Sequence, residues 1–222
     1  MKRVPTTELL DSDAGTPAEI AASLRDLSRI NRWFGGVATT EALIQQVARR
    51  LGARELSLLE IAAGSGDVPK LAATRLRRRG INVTITLLDR ARSHLNGSNH
   101  AIVADALALP FTEASFDLVS SCLFMHHFAP EQLTEFVNES LRVCRKALLI
   151  NDLVRSSLHL MAVYAGYPLY RSRLTRHDAP ASVRQAYSVE EMRKMIGQIP
   201  GTHVDIRRHY LYRMGVIVWK QR

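Results

Sequence analysis

Leu56-Ser57-Leu58-Leu59-Glu60-Ile61-Ala62-Ala63-Gly64-Ser65-Gly66-Asp67 is the stretch on which the fold turns. Its first seven residues form a short, nearly continuous apolar run, the pattern of a strand buried on both faces of a parallel sheet. The glycines that follow end the strand in a turn, because they adopt backbone conformations closed to residues with a β-carbon. Asp67-Val68-Pro69-Lys70 then opens a helix that runs to Arg79 and stops at Gly80, with Asp67 as its expected cap. Val83 to Asp89 is a second apolar strand. Strand, turn, helix and strand make a βαβ unit.

The pattern continues outward. Ala101 to Ala104 reads as a third strand, Phe116 to Cys122 as a fourth, Pro130 to Cys144 as a helix and Lys146 to Asp152 as a fifth strand. Such alternation implies an α/β fold of the Rossmann-like, doubly wound kind, with helices on both faces of a mostly parallel sheet. A helix capped by Ser188, with Glu190 and Glu191 in its first turn, ends near Gly197. Val204 to Arg208 and Met214 to Trp219 bring the sheet to seven strands and are expected to form an antiparallel pair at one edge. Ahead of the core, Ile20, Leu24, Leu27, Ile30, Trp33 and Phe34 recur at helical spacing between Thr16-Pro17 and Gly35-Gly36. A second helix begins near Thr40 and ends before Gly52. The first dozen residues read as loose. Between Leu153 and Tyr187 the alternation breaks into aromatic and basic residues, so 153–187 reads as a lid over an acceptor site. The expected organisation is an N-terminal helical segment, 1–38, covering the pocket of a domain at 39–222.

Composition narrows the classes. A chain of 222 residues with 46% hydrophobic residues fills one substantial domain. Two cysteines, Cys122 and Cys144, argue against a disulfide framework and for a reducing compartment, and cannot make a structural zinc site alone. No metal is expected. Met1 to Asp13 lacks the apolar run of a signal peptide, and no stretch approaches the ~20 apolar residues that span a bilayer. A cytoplasmic protein follows. The net charge of +9 invites a nucleic-acid partner, yet the basic residues are scattered. Arg75, Arg77, Arg78 and Arg79 sit in the last turn of a helix, where cations offset its dipole.

Ligands of open α/β sheets bind at the carboxyl ends of the strands. The polar residues there are Glu60 with Gly64-Ser65-Gly66, then Asp89, Asp105, His126 with His127, and Asn151 with Asp152. A dinucleotide fingerprint needs a third glycine where this chain has Pro69, and a cap at Asp67 puts negative charge where a pyrophosphate would bind. A cofactor with a cationic amino group fits better. Asp89, 23 residues after Gly66, stands where a carboxylate accepts bonds from both ribose hydroxyls, or else caps a helix. Asp105-Ala106 can meet an adenine amino group beside Leu107, or else serve a turn.

Taken in order, Glu60-Ile61-Ala62-Ala63-Gly64-Ser65-Gly66-Asp67, Leu87-Leu88-Asp89, Ala104-Asp105-Ala106, Leu109-Pro110-Phe111 and Ser115-Phe116-Asp117-Leu118-Val119 resemble the successive motifs of class I S-adenosylmethionine-dependent methyltransferases. The likeness covers about residues 40 to 152 and is greatest to the small-molecule group that includes the ubiquinone and menaquinone biosynthesis enzymes. It implies S-adenosyl-L-methionine as cofactor, with the glycine loop on its methionine part, Asp89 on the ribose, and Asp105 and Ala106 on the adenine. The candidate cofactor-binding residues are Glu60, Ala62, Gly64, Gly66, Asp89, Arg90, Asp105, Ala106 and Cys122. Ala62 replaces the family's first glycine and Val68 its last.

Phe124-Met125-His126-His127-Phe128 also resembles that group. A neutral imidazole beside the acceptor can take a proton from a hydroxyl or an acidic carbon, which makes His127, and secondly His126, the catalytic candidates. Capping of the next helix or a buried hydrogen bond is the alternative. The expected partner is a small, aromatic or polyketide-like acceptor, methylated on oxygen or nucleophilic carbon. The rivals are an RNA methyltransferase, which the charge favours but the absence of an Asn/Asp-Pro-Pro-aromatic signature does not, and a non-catalytic cofactor-binding protein.

Overall fold

A computed structural model describes residues 1–95 and 101–221. Seven strands form one sheet in the order β3-β2-β1-β4-β5-β7-β6. They are β1 (Glu55–Ile61), β2 (Asn82–Asp89), β3 (Ala101–Val103), β4 (Phe116–Cys122), β5 (Cys144–Leu153), β6 (Thr202–His209) and β7 (Arg213–Lys220). The first five are parallel, and β7 inserts antiparallel between β5 and β6. β6 and β7 thus form the expected antiparallel pair at one edge, with β6 outermost, β3 at the opposite edge and the last strand of the chain inside the sheet. Its apolar run Met214 to Val218, buried throughout, explains the place.

Alternate residues of the central strands serve opposite faces, as the period of two requires. Leu58, Leu118, Leu149 and Ile217 pack against Leu43, Ile44 and Val47 of α2 (Gly36–Leu51) and Leu76 of α3 (Asp67–Arg77). Leu59, Ile61, Val119, Leu148 and Ile150 pack against Leu133, Phe136 and Val137 of α4 (Pro130–Val143) and Met192 and Ile196 of α7 (Val189–Ile196). Each such side chain, fully buried, stabilises the fold by roughly 1.5–3 kcal/mol. Because β1 has β2 on one side and β4 on the other, a crevice opens at the carboxyl ends of β1 and β4.

α1 (Pro17–Trp33) begins with a capping box of Thr16 and Glu19. Segment 153–187 is helical where sequence alternation fails, with α5 (Ser157–Ala165) and α6 (Arg173–Gln185). α6 packs on α1, where Asp26 accepts the backbone N–H groups of Arg171 and Ser172 at 2.7 and 2.9 Å. The first residues are not loose. Arg3 donates to the carbonyls of His126, Phe128 and Gln185, and Asp178 accepts the N–H groups of Leu9 and Leu10 at 2.8 and 3.0 Å. The anchors lie more than a hundred residues away, so no local sequence pattern announces them. No described helix is long and apolar enough to cross a membrane.

Candidate active site

The crevice is a cavity of about 440 Å³. Eight of the nine cofactor candidates line it: Glu60, Ala62, Gly64, Asp89, Arg90, Asp105, Ala106 and Cys122; His126 and His127 line it as well. Gly66 does not. It takes φ +72°, and a β-carbon there would stand 2.5 Å from Leu87 Cδ1, so it serves the packing of loop on strand. It is also the N-cap of α3, in place of Asp67, which is the first helical residue.

The glycine loop has a left-handed backbone at Ala62, Gly64 and Gly66. A β-carbon on Gly64 would meet only Leu24 Cδ2, at 3.7 Å, and otherwise project into the cavity. Ala62, at φ +53°, holds a conformation that costs a residue with a β-carbon about 1–2 kcal/mol. Ala62→Gly is therefore expected to stabilise the fold by about 0.5–1 kcal/mol after the added chain entropy of glycine is subtracted. A lower midpoint in urea would show that Ala62 is not strained.

Glu60, 1% exposed, accepts a hydrogen bond from Ser120 Oγ. Burial pushes its carboxyl up to about 7 against the smaller opposing pull of Ser120. Asp89 behaves oppositely. Burial raises it, but the His94 imidazole 3.7 Å away and hydrogen bonds from the N–H groups of Ala91 and Gly64 prevail, and it is held below the usual carboxylate range. Its Oδ2 accepts Gly64 N–H at 2.8 Å and its Oδ1 accepts Ala91 N–H at 2.9 Å. Asp89 thus fixes the glycine loop as well as facing the cavity. Asp105 accepts Leu107 N–H at 2.8 Å, so the turn role is real and coexists with its place on the cavity wall. Burial pushes the Cys122 thiol up to about 12 and leaves it un-ionised.

Neither histidine caps α4: its N-cap is Ala129, which makes no side-chain cap bond and donates its own N–H to Gln132 Oε1 at 3.3 Å. Both belong to a short 3-10 turn after β4, Met125–His127, and each ring is held by a carboxylate. His126 Nδ1 lies 2.7 Å from Asp152 Oδ1, while Asp152 Oδ2 accepts the His126 N–H at 3.0 Å. Burial works to lower the His126 imidazole, yet Asp152 and then Glu8 outweigh it and push it up to about 10. A histidine so held is cationic near neutral pH and no longer a proton acceptor. His127, more open, has Nδ1 2.8 Å from Asp11 Oδ2 and Nε2 4.0 Å from Glu8 Oε1. Leu123, Phe124 and Phe128 line the cavity beside it, and Phe124 packs edge-on to Phe128 with centroids 4.8 Å apart.

Glu8, Leu10 and Asp11 complete the wall, with Leu24, Leu27, Ser28 and Asn31 of α1. From 153–187, the expected lid, Ser182 alone lines the cavity among the described residues. The segment also holds the N-terminal residues: Ser182 Oγ and Gln185 Nε2 donate to Glu8 Oε1 at 2.6 and 2.7 Å. Sequence reading missed Glu8, Asp11 and Asp13, which reaches His94 Nε2 at 3.1 Å. The available signal was acidic residues gathered ahead of the first helix in a strongly basic chain.

Residues 59–148 match the family model described as "Methyltransferase domain". No curated protein sequence matches the chain. Among solved structures, the plantazolicin methyltransferase BpumL in complex with SAH is 14% identical, with 97% of this chain and 95% of that chain covered and a TM-score of 0.68. A SAM-dependent methyltransferase from Aquifex aeolicus is 14% identical, covering 92% and 98%, with a TM-score of 0.59. At these identities the likeness is one of fold.

Proposed function

We propose that this chain, a class I S-adenosylmethionine-dependent methyltransferase whose methyltransferase domain includes residues 59–148, methylates an oxygen or nucleophilic carbon of a small, largely apolar acceptor. One observation carries the reading: the glycine loop, Glu60, Asp89 and Asp105 line the same cavity as His127, Phe124 and Phe128, and the sheet order sets β2, which ends in Asp89, on one side of β1, and β4, which leads to the histidines, on the other. The donor set fits the cofactor. Glu60 is a buried carboxyl suited to an ammonium group, Gly64 leaves room against the backbone, and Asp89 retains acceptor capacity for ribose hydroxyls. When bound, S-adenosylmethionine supplies a methyl group already activated on a cationic sulfur.

The residues of the chain then have positional work to do. Phe124, Phe128 and Leu123 exclude water and hold a flat or apolar acceptor, and alignment with desolvation supplies most of the rate. His127, oriented by Asp11, faces the acceptor and assists loss of its proton. His126, fixed by Asp152, positions the turn that carries His127. Segments 1–38 and 153–187 together make the cover on this side. Of the arginines that suggest an RNA surface, Arg75 and Arg79 pair with Glu41 while staying exposed. The free thiols Cys122 and Cys144 agree with a cytoplasmic setting.

Incubation with labelled cofactor and a panel of phenols, quinone precursors and polyketide-derived aromatics tests the reading. Label is expected in one of these classes. Binding of S-adenosylhomocysteine with no transfer to any of them, but transfer to RNA, would replace it.

Glu60 gives a pH test. An ammonium group prefers the ionised carboxylate, whereas the free protein holds Glu60 half protonated near pH 7. Affinity for S-adenosylhomocysteine is therefore expected to rise as pH increases from about 5 to 7, by up to tenfold per unit, and to level off above. Calorimetry in buffers of different ionisation heat should find up to one proton released at pH 6. Glu60→Gln should abolish that release; proton release persisting in the variant would remove Glu60 from the ammonium site.

A further inference from the structure

We propose that Glu8, His126 and His127 form a binding site for a divalent transition-metal ion of the zinc class, open toward the acceptor end of the cavity. The inference rests on the reading that this end receives the acceptor. His126 Nε2 lies 3.4 Å and His127 Nε2 4.0 Å from Glu8 Oε1. All three ligand atoms are within 4.8 Å of one another. Ligands at about 2.1 Å from a tetrahedral ion stand roughly 3.4 Å apart, so the site closes on an ion with shifts below an ångström.

Three features separate this cluster from an ordinary patch of polar residues. First, each imidazole gives its other nitrogen to a carboxylate, Nδ1 of His126 to Asp152 at 2.7 Å and Nδ1 of His127 to Asp11 at 2.8 Å. Ligating histidines are oriented in this way, with the proton on Nδ1 and the Nε2 lone pair turned to the metal. Second, His126 Nε2 is buried and makes no hydrogen bond, although the residue is only 1% exposed. Its nearest acceptor, Glu8 Oε1 at 3.4 Å, makes no hydrogen bond with it and already accepts from Ser182 and Gln185, so this buried nitrogen lacks a well-placed partner. Third, the carboxylates of Glu8, Asp11 and Asp152 gather around the two imidazoles, and a divalent cation that displaces the Nε2 proton of His126 takes over the charge this proton offsets.

Two nitrogens and one oxygen suit zinc, cobalt, iron or nickel and disfavour calcium and magnesium, which take oxygen donors. Three protein ligands with a remaining open position are the arrangement of catalytic sites. A cation there lowers the pKa of a hydroxyl brought to it, the proton passing to solvent, and His127 then acts on the acceptor as a ligand and not by direct contact. The N-terminal segment, anchored on α6 through Glu8, thereby becomes part of the reaction site.

The test uses the full chain, freed of metal with a chelator and titrated with Co²⁺ followed by Zn²⁺, without acceptor. The expected result is one equivalent of Co²⁺ bound, visible absorption bands that Zn²⁺ removes, and affinity weakened at least tenfold in Glu8→Gln and His127→Ala. Melting curves confirm that both variants fold, and His203→Ala, on the exposed edge strand, should bind normally. Absence of stoichiometric binding, or binding that survives His127→Ala, overturns the site. If an acceptor is methylated at full rate in chelator and Co²⁺ does not bind, the metal fails and the acceptor reading stands. If Co²⁺ binds as expected while no acceptor is turned over, the site stands and the acceptor reading fails.

Discussion

His127→Ala is expected to bind S-adenosylhomocysteine within about threefold of the parent chain and to lose about 10²–10⁴-fold in turnover. The separation follows from place. Asp89 ends β2 on one side of β1, while His127 follows β4 on the other, and both line the cavity with Phe124 and Phe128. On the proposed reading, deleting the imidazole removes a group that faces the acceptor and is expected to leave the cofactor's own contacts intact. The size of the loss is that of a positioned acid or base, and a lost metal ligand falls in the same range. The competing role is structural, since His127 ties the N-terminal segment through Asp11. That contact, with Asp11 half open to solvent, contributes at most about 1 kcal/mol, so its loss alone would lower the melting temperature slightly and spare the rate. Turnover, cofactor affinity and melting temperature on one preparation distinguish the two. A folded variant with full activity would end the assignment of His127 to the transfer step.

Asp89→Ala is expected to lose most of the affinity for S-adenosylhomocysteine, because each hydrogen bond to a charged group is worth about 1.5–3 kcal/mol. Two effects combine in that loss. The carboxylate would no longer accept ribose hydroxyls, and Gly64 and Ala91 would lose the acceptor that sets the glycine loop. A cofactor analogue lacking the 2′-hydroxyl separates them. The parent chain should bind the analogue at least tenfold more weakly than the normal ligand, and Asp89→Ala should bind both alike. Equal binding of both by the parent would leave Asp89 only its part in shaping the loop.

The same carboxylate shows where sequence reading reaches and where it stops. That Asp89 ends the second strand beside a glycine turn follows from an apolar run and a spacing, both local properties of the chain. Its engagement of Gly64 and Ala91 depends on β1 and β2 pairing in register, Ile61 against Leu88. Likewise the position of Ala62 marked a departure from the family's glycine, and only the backbone shows the left-handed conformation kept there. The histidine pair was visible in sequence, but not the difference between its members. Asp152 comes from the next strand and Glu8 from the chain's beginning, and these decide that His126 is a buried cation and His127 the open imidazole.

By itself, the sequence determined what periodicity and turn chemistry control: the alternation of strands and helices, the parallel core, the glycine loop and the set of polar strand ends. Those features are set by interactions within a few residues of each other, or by the demand that apolar faces be covered. Tertiary structure alone decided that β7 lies inside the sheet, that segment 153–187 bonds to Glu8 and lends Ser182 to the cavity wall, and that Glu8 and Asp11 reach the two histidines. Single hydrogen bonds and ion pairs across more than a hundred residues make those arrangements. They leave no period in the chain, because each requires only one suitable side chain at each end and a fold that brings the two together.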